Sequence, residues 1–153
     1  MENPDIQSID AIITALYESV SFPPGREPDW ERLAQIYHPG CRLVPMRKAG
    51  DLAAVLTGEG FKARFNEAEK QMGIRARGFH ESEAGRTVQR YGKIVHAFSV
   101  YESRFTKDDP EPWDRGVNSI QLVFENGRWW VLTILWDSES NGAGPVPSLP
   151  RAG

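Results

Sequence analysis

The stretch that decides the fold is Gly116–Asp137, which reads GVNSIQLVFE-NG-RWWVLTILWD. Its centre, Asn126-Gly127, is the strongest short signal of a β-hairpin, because a two-residue type I′ turn needs positive φ at both positions. The runs on either side are rich in β-branched and aromatic residues, which favour strands. We therefore predict two antiparallel strands, 116–125 and 128–137, joined by a tight turn.

This turn also predicts which side chains of the hairpin share a face. Glu125 and Arg128 flank the turn and must point the same way. One face then carries Val117, Ser119, Gln121, Val123, Trp130, Leu132, Ile134 and Trp136, and the other carries Asn118, Ile120, Leu122, Phe124, Trp129, Val131, Thr133 and Leu135. Both faces are largely apolar, whereas a solvent-facing sheet surface would alternate to polar residues. Each face therefore needs a cover.

Upstream of the hairpin, the spacing of apolar residues changes from a helical period to a period of two. The predicted order is a helix from Pro4 to Val20, a helix after Pro28, a strand over 42–46, a helix over 59–72, a strand over 74–91 with a turn or bulge at 83–85, and a strand over 93–105. Runs of helices followed by runs of strands indicate the α+β class.

Three short helices can cover only one face of this sheet. The other face would expose a large apolar patch, which is unusual for a monomer. The pattern predicts a homodimer packed through Ile120, Leu122, Phe124, Trp129 and Val131. The alternative is that the C-terminal tail folds back over this face. We expect a domain over residues 1–140 and a loosely held, Gly- and Pro-rich tail over 141–153.

The composition is typical of one globular domain. The chain has 153 residues, of which 40% are apolar and 25% charged, and its net charge is -3. Nucleic acids and anionic membranes require a basic surface patch, so neither partner is expected. The N-terminus has no apolar signal sequence, and Cys41 is the single cysteine, which favours a reducing compartment. A cytoplasmic location is therefore expected.

Motifs for metals, phosphates and nucleophilic serines are not found. His38, His80 and His96 are not spaced as metal ligands. Gly58-Glu59-Gly60 lacks the lysine and the preceding strand of a phosphate-binding loop. No Gly-x-Ser-x-Gly elbow occurs. The sequence predicts no metal and no other cofactor.

Over about residues 5–140, the chain resembles the nuclear transport factor 2-like (SnoaL-like) superfamily. The resemblance rests on the order of the elements and on GKIVHA (92–97), YESR (101–104), RGVNSIQL (115–122) and NGRWW (126–130) leading to Trp136-Asp137. It implies a cone-shaped α+β barrel, with three N-terminal helices packed on a curved antiparallel sheet. It also implies a pocket between helices and sheet, and dimerisation through the sheet. It does not imply one function, because this fold hosts enzymes and non-catalytic binders alike.

The ketosteroid isomerases of this superfamily provide a test of mechanism. They need a carboxylate base on the first short strand, a tyrosine in the first helix and a protonated acid on the penultimate strand. In this chain the three positions fall near Pro45, Ile12 and Gln121. None of them matches, which argues against the steroid isomerase mechanism.

The same overlay predicts the lining of the pocket. The candidate residues are His96, Phe98, Ser119, Gln121, Trp130, Leu132, Trp136, Tyr17 and Trp30. Among them, His96 is the best candidate for a catalytic base, since histidine titrates near neutrality, and Asp137 is a distant second. A buried neutral histidine is the alternative. For the tryptophans a core position is the more common explanation, and Tyr17 has the same two explanations.

Three functions stay open at this point. The favoured one is binding of a small hydrophobic molecule in the pocket, because the predicted pocket is apolar and lacks a recognisable acid–base pair. The second is a SnoaL-like lyase, isomerase or cyclase that uses His96. The third is a non-catalytic dimerisation domain whose cone is filled by Trp130 and Trp136. The sequence does not decide whether the protein is an enzyme.

Overall fold

The computed structural model describes residues 2–48 and 50–151 and shows a five-stranded curved sheet with helices packed on its inner face. The helices are α1 (Ile9–Val20), α2 (Trp30–Ile36), α3 (Gly58–Met72) and α4 (Ile74–Arg77), and the strands are β1 (Tyr37–Pro45), β2 (His80–Tyr91), β3 (Ile94–Arg104), β4 (Asp114–Glu125) and β5 (Arg128–Ser138). The mixed α+β class agrees with the prediction. The described residues form four α-helices, however, and not the three predicted.

Local capping explains where the helices begin and end. Asn3 caps a short 3-10 helix, Pro4–Ile6, and α1 itself starts later because the Ser8 hydroxyl accepts from Ala11 N. α3 matches its predicted bounds, with Thr57 accepting from Gly60 N and Gly73 in the left-handed region. The prediction that residue 74 begins a strand is wrong, because α4 occupies Ile74–Arg77.

The strand order is β1-β5-β4-β3-β2. β2 through β5 pair as an antiparallel meander, but β1 pairs with β5 in parallel, so the prediction of a purely antiparallel sheet is wrong at this edge. The register of β2 against β3 shifts between Glu83 and Gly85. The stretch 80–91 is therefore one strand with a bulge. The alternative that the sequence allowed, a hairpin with its turn at 83–85, does not form.

The β4–β5 hairpin forms around Asn126 and Gly127, which have φ of 53° and 74° as a type I′ turn requires. Near the turn the pairing is the predicted one, with Glu125 opposite Arg128. Further along, Gln121 pairs with Thr133 while Leu122 pairs with Val131, so Leu132 is an extra residue. This bulge reverses the alternation of β5 beyond it.

The inner face of the sheet is the one that the sequence analysis assigned to a dimer. Ile120, Leu122, Trp129 and Val131 are 0%, 1%, 4% and 1% exposed and join α1 and α2 in one core, with Phe124 packed against its edge. The prediction that these five residues form a dimer interface is wrong. The physical reason is that both faces of the hairpin are largely apolar, so the residues themselves do not show which face the helices cover, even where the pairing is the predicted one.

The C-terminal tail lies against the outer face of the sheet at the β2 bulge. Arg86 N donates to Pro150 O over 2.8 Å. A Cβ on Gly85 would lie 2.3 Å from Leu149 O, so only glycine leaves room for the tail. Gly85 pairs with Val100, which is buried on this outer face. The tail is held here, unlike the loose segment that composition predicts.

No helix in the described ranges is long and apolar enough to span a membrane.

Candidate functional site

A cavity of about 790 Å³ lies between α3 and the inner face of the sheet. Ligand pockets commonly measure about 300–1,000 Å³, so it has the size of a small-molecule site. Most of its wall is apolar, and the larger apolar and aromatic lining residues include Leu16, Phe22, Tyr37, Leu43, Phe61, Phe65, Met72, Phe79, Ile134 and Trp136. The apolar stripe of α3 points at this cavity, and no described residue of α3 is fully buried. α3 therefore covers the cavity, and it touches the sheet at the rim, where the Phe61 and Trp136 rings are 6.0 Å apart.

Glu81 is a carboxyl at the inner end of this cavity. It lies on β2 opposite Ser103 of β3. Asn118 Nδ2, from β4, donates to Glu81 Oε1 over 3.0 Å. The backbone of Glu81 is tied to the end of α1, because its N–H donates to Ser21 Oγ over 3.0 Å. Among the described residues no donor reaches Glu81 Oε2, so this oxygen is free to meet a ligand.

Burial raises the pKa of Glu81 to about 7, and the hydrogen bond from Asn118 opposes part of this rise. A carboxyl with this pKa is present in both its neutral and its ionised form near neutral pH. Glu81 can therefore either accept or donate a proton under ordinary conditions.

A chain of hydrogen bonds positions Asn118 beside Glu81. Asn118 Nδ2 also donates to Tyr17 Oη over 3.1 Å, and Tyr17 Oη lies 2.6 Å from Ser99 Oγ. Ser99 donates in turn to Glu83 Oε2 over 2.5 Å. Because the Ser99 proton is used on Glu83, Tyr17 must be the donor to Ser99. The hydroxyl protons of Tyr17 and Ser99 thus point away from Glu81. In this hydrogen-bonded network, only the second amide proton of Asn118 points toward it.

The chain ends in a buried ion pair. Arg86 Nε donates to Glu83 Oε1 over 3.1 Å, and its Nη1 donates to Asp10 on α1 over 2.9 Å. Burial, together with the nearby Glu81 carboxyl, raises the pKa of the Tyr17 hydroxyl. Tyr17 therefore stays protonated and acts as a fixed donor within the network.

Tyr101 places a second hydroxyl on the cavity wall. A Cβ on Gly116 would lie 2.4 Å from Tyr101 Oη and 2.4 Å from Asp137 O. The glycine is needed for this close approach, and a side chain there would displace the tyrosine. Burial raises the pKa of Tyr101, so it can donate a hydrogen bond but does not ionise near neutral pH.

The mouth of the cavity combines aromatic rings with basic side chains. Phe105 and Trp113 are stacked with their centroids 5.6 Å apart, and both remain partly exposed. The Arg77 guanidinium lies 5.3 Å above the Phe105 ring. Lys48 and Arg64 also line the cavity and are exposed to solvent.

No protein-family model matches the chain, and no curated protein matches its sequence. Solved structures do match. A protein of unknown function with a cystatin-like fold from Nostoc punctiforme PCC 73102 is 16% identical, with a TM-score of 0.55 over 80% of each chain. An NTF2-like protein of unknown function from Silicibacter pomeroyi DSS-3 is 15% identical, with a TM-score of 0.54 over 85% of this chain and 92% of that one. Another, from Shewanella baltica OS155, is 12% identical, with a TM-score of 0.52 over 84% and 91%.

The chain has the nuclear transport factor 2-like fold. At these identities the likeness concerns the fold alone, and the chemistry has to be argued from this chain's own residues.

Within this nuclear transport factor 2-like fold, five of the predicted pocket residues lie outside the cone. His96, Phe98, Ser119, Gln121 and Trp130 are on the outer face of the sheet, opposite the cavity. His96 Nε2 lies 2.8 Å from Ser119 Oγ there. The prediction that these residues line the pocket is wrong, and His96 is not placed to act as its base.

Trp136 does line the cavity, together with Ile134. Both were assigned to the same face as Trp130, but the Leu132 bulge turns them inward. Leu132 itself is the extra residue and does not line the cavity. Trp136 forms part of the wall without filling the cone, so the tryptophan-filled cone that would favour a purely structural domain is not found.

The two remaining predicted residues lie behind the cavity wall. Tyr17 belongs to the hydrogen-bonded network and borders a second hollow of about 380 Å³, shared with Glu81 and Glu83. Trp30 packs edge-on against Phe61 and Phe65, at centroid distances of 6.2 and 5.3 Å. It supports α3 from outside the cavity. The second base candidate, Asp137, is at the mouth, where its carboxylate accepts from Asn141 Nδ2 over 2.8 Å.

The three positions that correspond to the catalytic residues of a steroid isomerase carry no acid, base or tyrosine in this structure. Pro45 lines the cavity, Ile12 is in the core and Gln121 is on the outer face. The acid of this site comes from β2 instead. Sequence reasoning missed Glu81 and Asn118, although both flank residues that it named.

Proposed function

We propose that this protein binds a small, largely apolar molecule in the cone cavity and that Glu81 exchanges a proton with it. The proposal rests on one observation, a carboxyl with its pKa raised to about 7 at the inner end of an apolar cavity of ligand size. General acid–base catalysis is most efficient when the pKa of the catalytic group lies near the working pH. The reaction class that fits is proton transfer on a hydrophobic substrate, as in a lyase or isomerase.

The residues around Glu81 take different roles. Glu81 Oε2 meets the reacting atom, while Asn118 holds Oε1 and sets the direction of the carboxyl. Tyr17 and Ser99 are positioning residues, because they fix the Asn118 amide and do not face the main cavity. The Tyr101 hydroxyl is available on the wall as a neutral hydrogen-bond donor to the ligand.

The binding half of the proposal is tested with N-phenyl-1-naphthylamine, a neutral apolar dye whose fluorescence rises in apolar surroundings. We expect saturable binding that is abolished by Ala68→Phe, which fills the cavity from α3. The matched control is Ala63→Phe, on the same helix but exposed and outside the cavity. Equal dye binding by the two variants would place the dye elsewhere and contradict a ligand site in the cone.

The catalytic half is tested with 5-nitrobenzisoxazole, a general probe for a base in an apolar site. The base removes the C3 proton, the N–O bond breaks, and the coloured 2-cyano-4-nitrophenolate is released. We expect the rate to rise with pH with a midpoint near 7, following the ionisation of Glu81. Glu81→Gln should lower it by about 100-fold or more, whereas Glu125→Gln, on the exposed hairpin, should not. If Glu81→Gln keeps the wild-type rate, Glu81 is not the base.

A homodimer is our second proposal, now through the outer face of the sheet. Phe98 and Leu135 are 38% and 42% exposed there and flank Ser119 across neighbouring strands. A two-fold dimer buries the same patch on both copies, and this partly apolar patch is the surface proposed to do so. Sedimentation equilibrium at micromolar concentration should give a dimer, and Phe98→Glu should give a monomer with unchanged far-UV circular dichroism. Sedimentation of the wild type only as a monomer would contradict the proposal.

A further inference from the structure

We infer that the ligand of the cone cavity is an anionic amphiphile, whose negative head group lies at the mouth beside Arg64 and Arg77 and whose apolar body extends inward. This inference rests on the proposed function, because it names the chemical class of the ligand for that same cavity.

The basic side chains at the mouth lack protein partners. In the part of the chain that the structure describes, Lys48, Arg64 and Arg77 form no ion pair and no side-chain hydrogen bond, so their N–H groups are available to a ligand at the cavity. Guanidinium groups left free at the rim of a cavity are ready to bind a carboxylate, sulfonate or phosphate.

The acidic side chains at the mouth, in contrast, are already engaged by protein donors. Asp114 accepts from the N–H of Ser140 over 3.0 Å and from its hydroxyl over 2.7 Å. Asp137 accepts from Asn141 Nδ2 and from the N–H of Ser138, over 2.8 and 2.9 Å. These contacts hold both carboxylates on the sheet side of the mouth, while Arg64 and Arg77 project from α3 and α4.

Arg77 is held in place by an aromatic surface. Its guanidinium stands over Phe105, and the Phe105 ring is stacked on Trp113. A cation–π contact orients a guanidinium without consuming its N–H donors. The mouth therefore presents a charged donor group directly beside exposed aromatic rings, which suits a ligand that is anionic at one end and apolar at the other.

The acid at the inner end fixes the direction of the ligand. When Glu81 is ionised, it repels a second negative charge in the weakly polar interior of the cone. The stable orientation places the head group outward and the apolar body inward, with the reacting carbon near Glu81 Oε2.

A pair of matched dyes tests this inference. N-phenyl-1-naphthylamine is neutral, and 1-anilinonaphthalene-8-sulfonate has the same ring skeleton with one added sulfonate. We expect the wild type to bind the sulfonate dye more tightly. The double variant Arg64→Gln/Arg77→Gln should lower the affinity for the sulfonate dye by about 2- to 30-fold, since two exposed ion pairs contribute about 0.2–1 kcal/mol each. The affinity for the neutral dye should change by less than about 2-fold.

The control is Arg90→Gln/Lys93→Gln, which removes the same number of positive charges from exposed positions far from the mouth. It should leave the affinities for both dyes unchanged. Raising the salt concentration should lower the affinity of the wild type for the sulfonate dye, because salt screens the exposed charges at the mouth. The mouth variant lacks these two charges, so its affinity should not change with salt.

The outcomes distinguish failure of the cavity as a ligand site from failure of the anionic-ligand inference. If neither dye binds in the cavity, as judged with Ala68→Phe, the proposed function fails. If the neutral dye binds there but the sulfonate dye binds no more tightly, or if the mouth and control variants behave alike, the inference of an anionic ligand is overturned and the cavity stands. Displacement of the neutral dye by dodecanoate, dodecyl phosphate and dodecanol then identifies the head group. Stronger displacement by either acid supports the inference, and equal displacement by dodecanol contradicts it.

Discussion

Glu81→Gln should make the protein more stable at neutral pH. Glu81 is partly buried, and desolvation raises the pKa of its carboxyl from 4.5 to about 7, so between these values the native state binds more protons than the unfolded state. The free energy of unfolding of the wild type must therefore fall as the pH rises from about 4.5 to about 7 and stay constant above, as far as this group is concerned. Glutamine has nearly the same shape and carries no charge to bury.

The size of the effect follows from the pKa difference. At about 1.4 kcal/mol for each pH unit, the interval between 4.5 and about 7 amounts to about 3 kcal/mol. For a domain of this size, that corresponds to about 6–12 °C in melting temperature. The variant should exceed the wild type by about this amount above pH 7 and equal it near pH 4.5.

Urea unfolding at a series of pH values from 4.5 to 8.5 measures this difference. Subtracting the two curves removes every group that titrates in both proteins. Glu125→Gln, at the exposed end of β4, serves as the control and should give a difference that is flat with pH. A flat difference for Glu81→Gln as well, or a variant that is less stable than the wild type at pH 8, would refute the account of Glu81 as a buried acid.

Three further predictions concern the fold around the site. Ile120→Ala should cost about 2–5 kcal/mol of unfolding free energy and Ile94→Ala, at an outer-face position that is 60% exposed, less than about 0.5; similar costs in urea unfolding would mean that the inner face is misassigned. Tyr17→Phe should cost about 1–3 kcal/mol, since its buried partners lose a hydrogen bond, and thermal unfolding that matches the wild type would contradict the network. Gly85→Ala should release the tail, because the added Cβ meets Leu149 O; limited proteolysis should then cleave within 142–151 faster than in the wild type, and unchanged cleavage would count against the contact.

The parts of the fold that the sequence predicted correctly are those with local causes. The hairpin follows from Asn126-Gly127, whose positive φ values the turn requires. The third helix follows from an apolar stripe that ends at Gly73, which adopts the left-handed conformation of a C-terminal cap. In each case residues a few positions apart determine the outcome.

Which face of the hairpin lies inward could not be predicted, because both faces are largely apolar. A bulge that depends on cross-strand pairing adds a second error at the end of β5. Leu132 sits in the mostly apolar run WWVLTIL, with neither glycine nor proline to mark it. Without the bulge, Trp130 and Trp136 share a face; with it, Trp130 is outside and Trp136 lines the cavity. Two apolar faces gave no compositional basis for choosing between them.

Glu81 was missed for a related reason. It stands in the polar run His80-Glu81-Ser82-Glu83, which by itself is typical of an exposed strand end. Its burial depends on the register of β2 against β3 and on Asn118, which arrives from β4. The alternation of the run was a usable signal, because Glu81 and Glu83 fall on one face, but only pairing with Ser103 and Tyr101 identifies that face as the inner one.

The parallel pairing of β1 with β5 bears on how the chain is made. Tyr37 pairs with Val131 and Pro45 with Trp136. The first strand along the sequence can therefore pair only after the last strand has been made. As the chain leaves the ribosome, α1, α2 and β1 emerge before the strand that completes their side of the sheet, and β2, β3 and β4 come between them. Contacts between such distant segments slow folding. The sheet therefore cannot close until β5 has been translated, and a nascent chain stalled before Arg128 exposes the edge of β1 that β5 covers in the native fold.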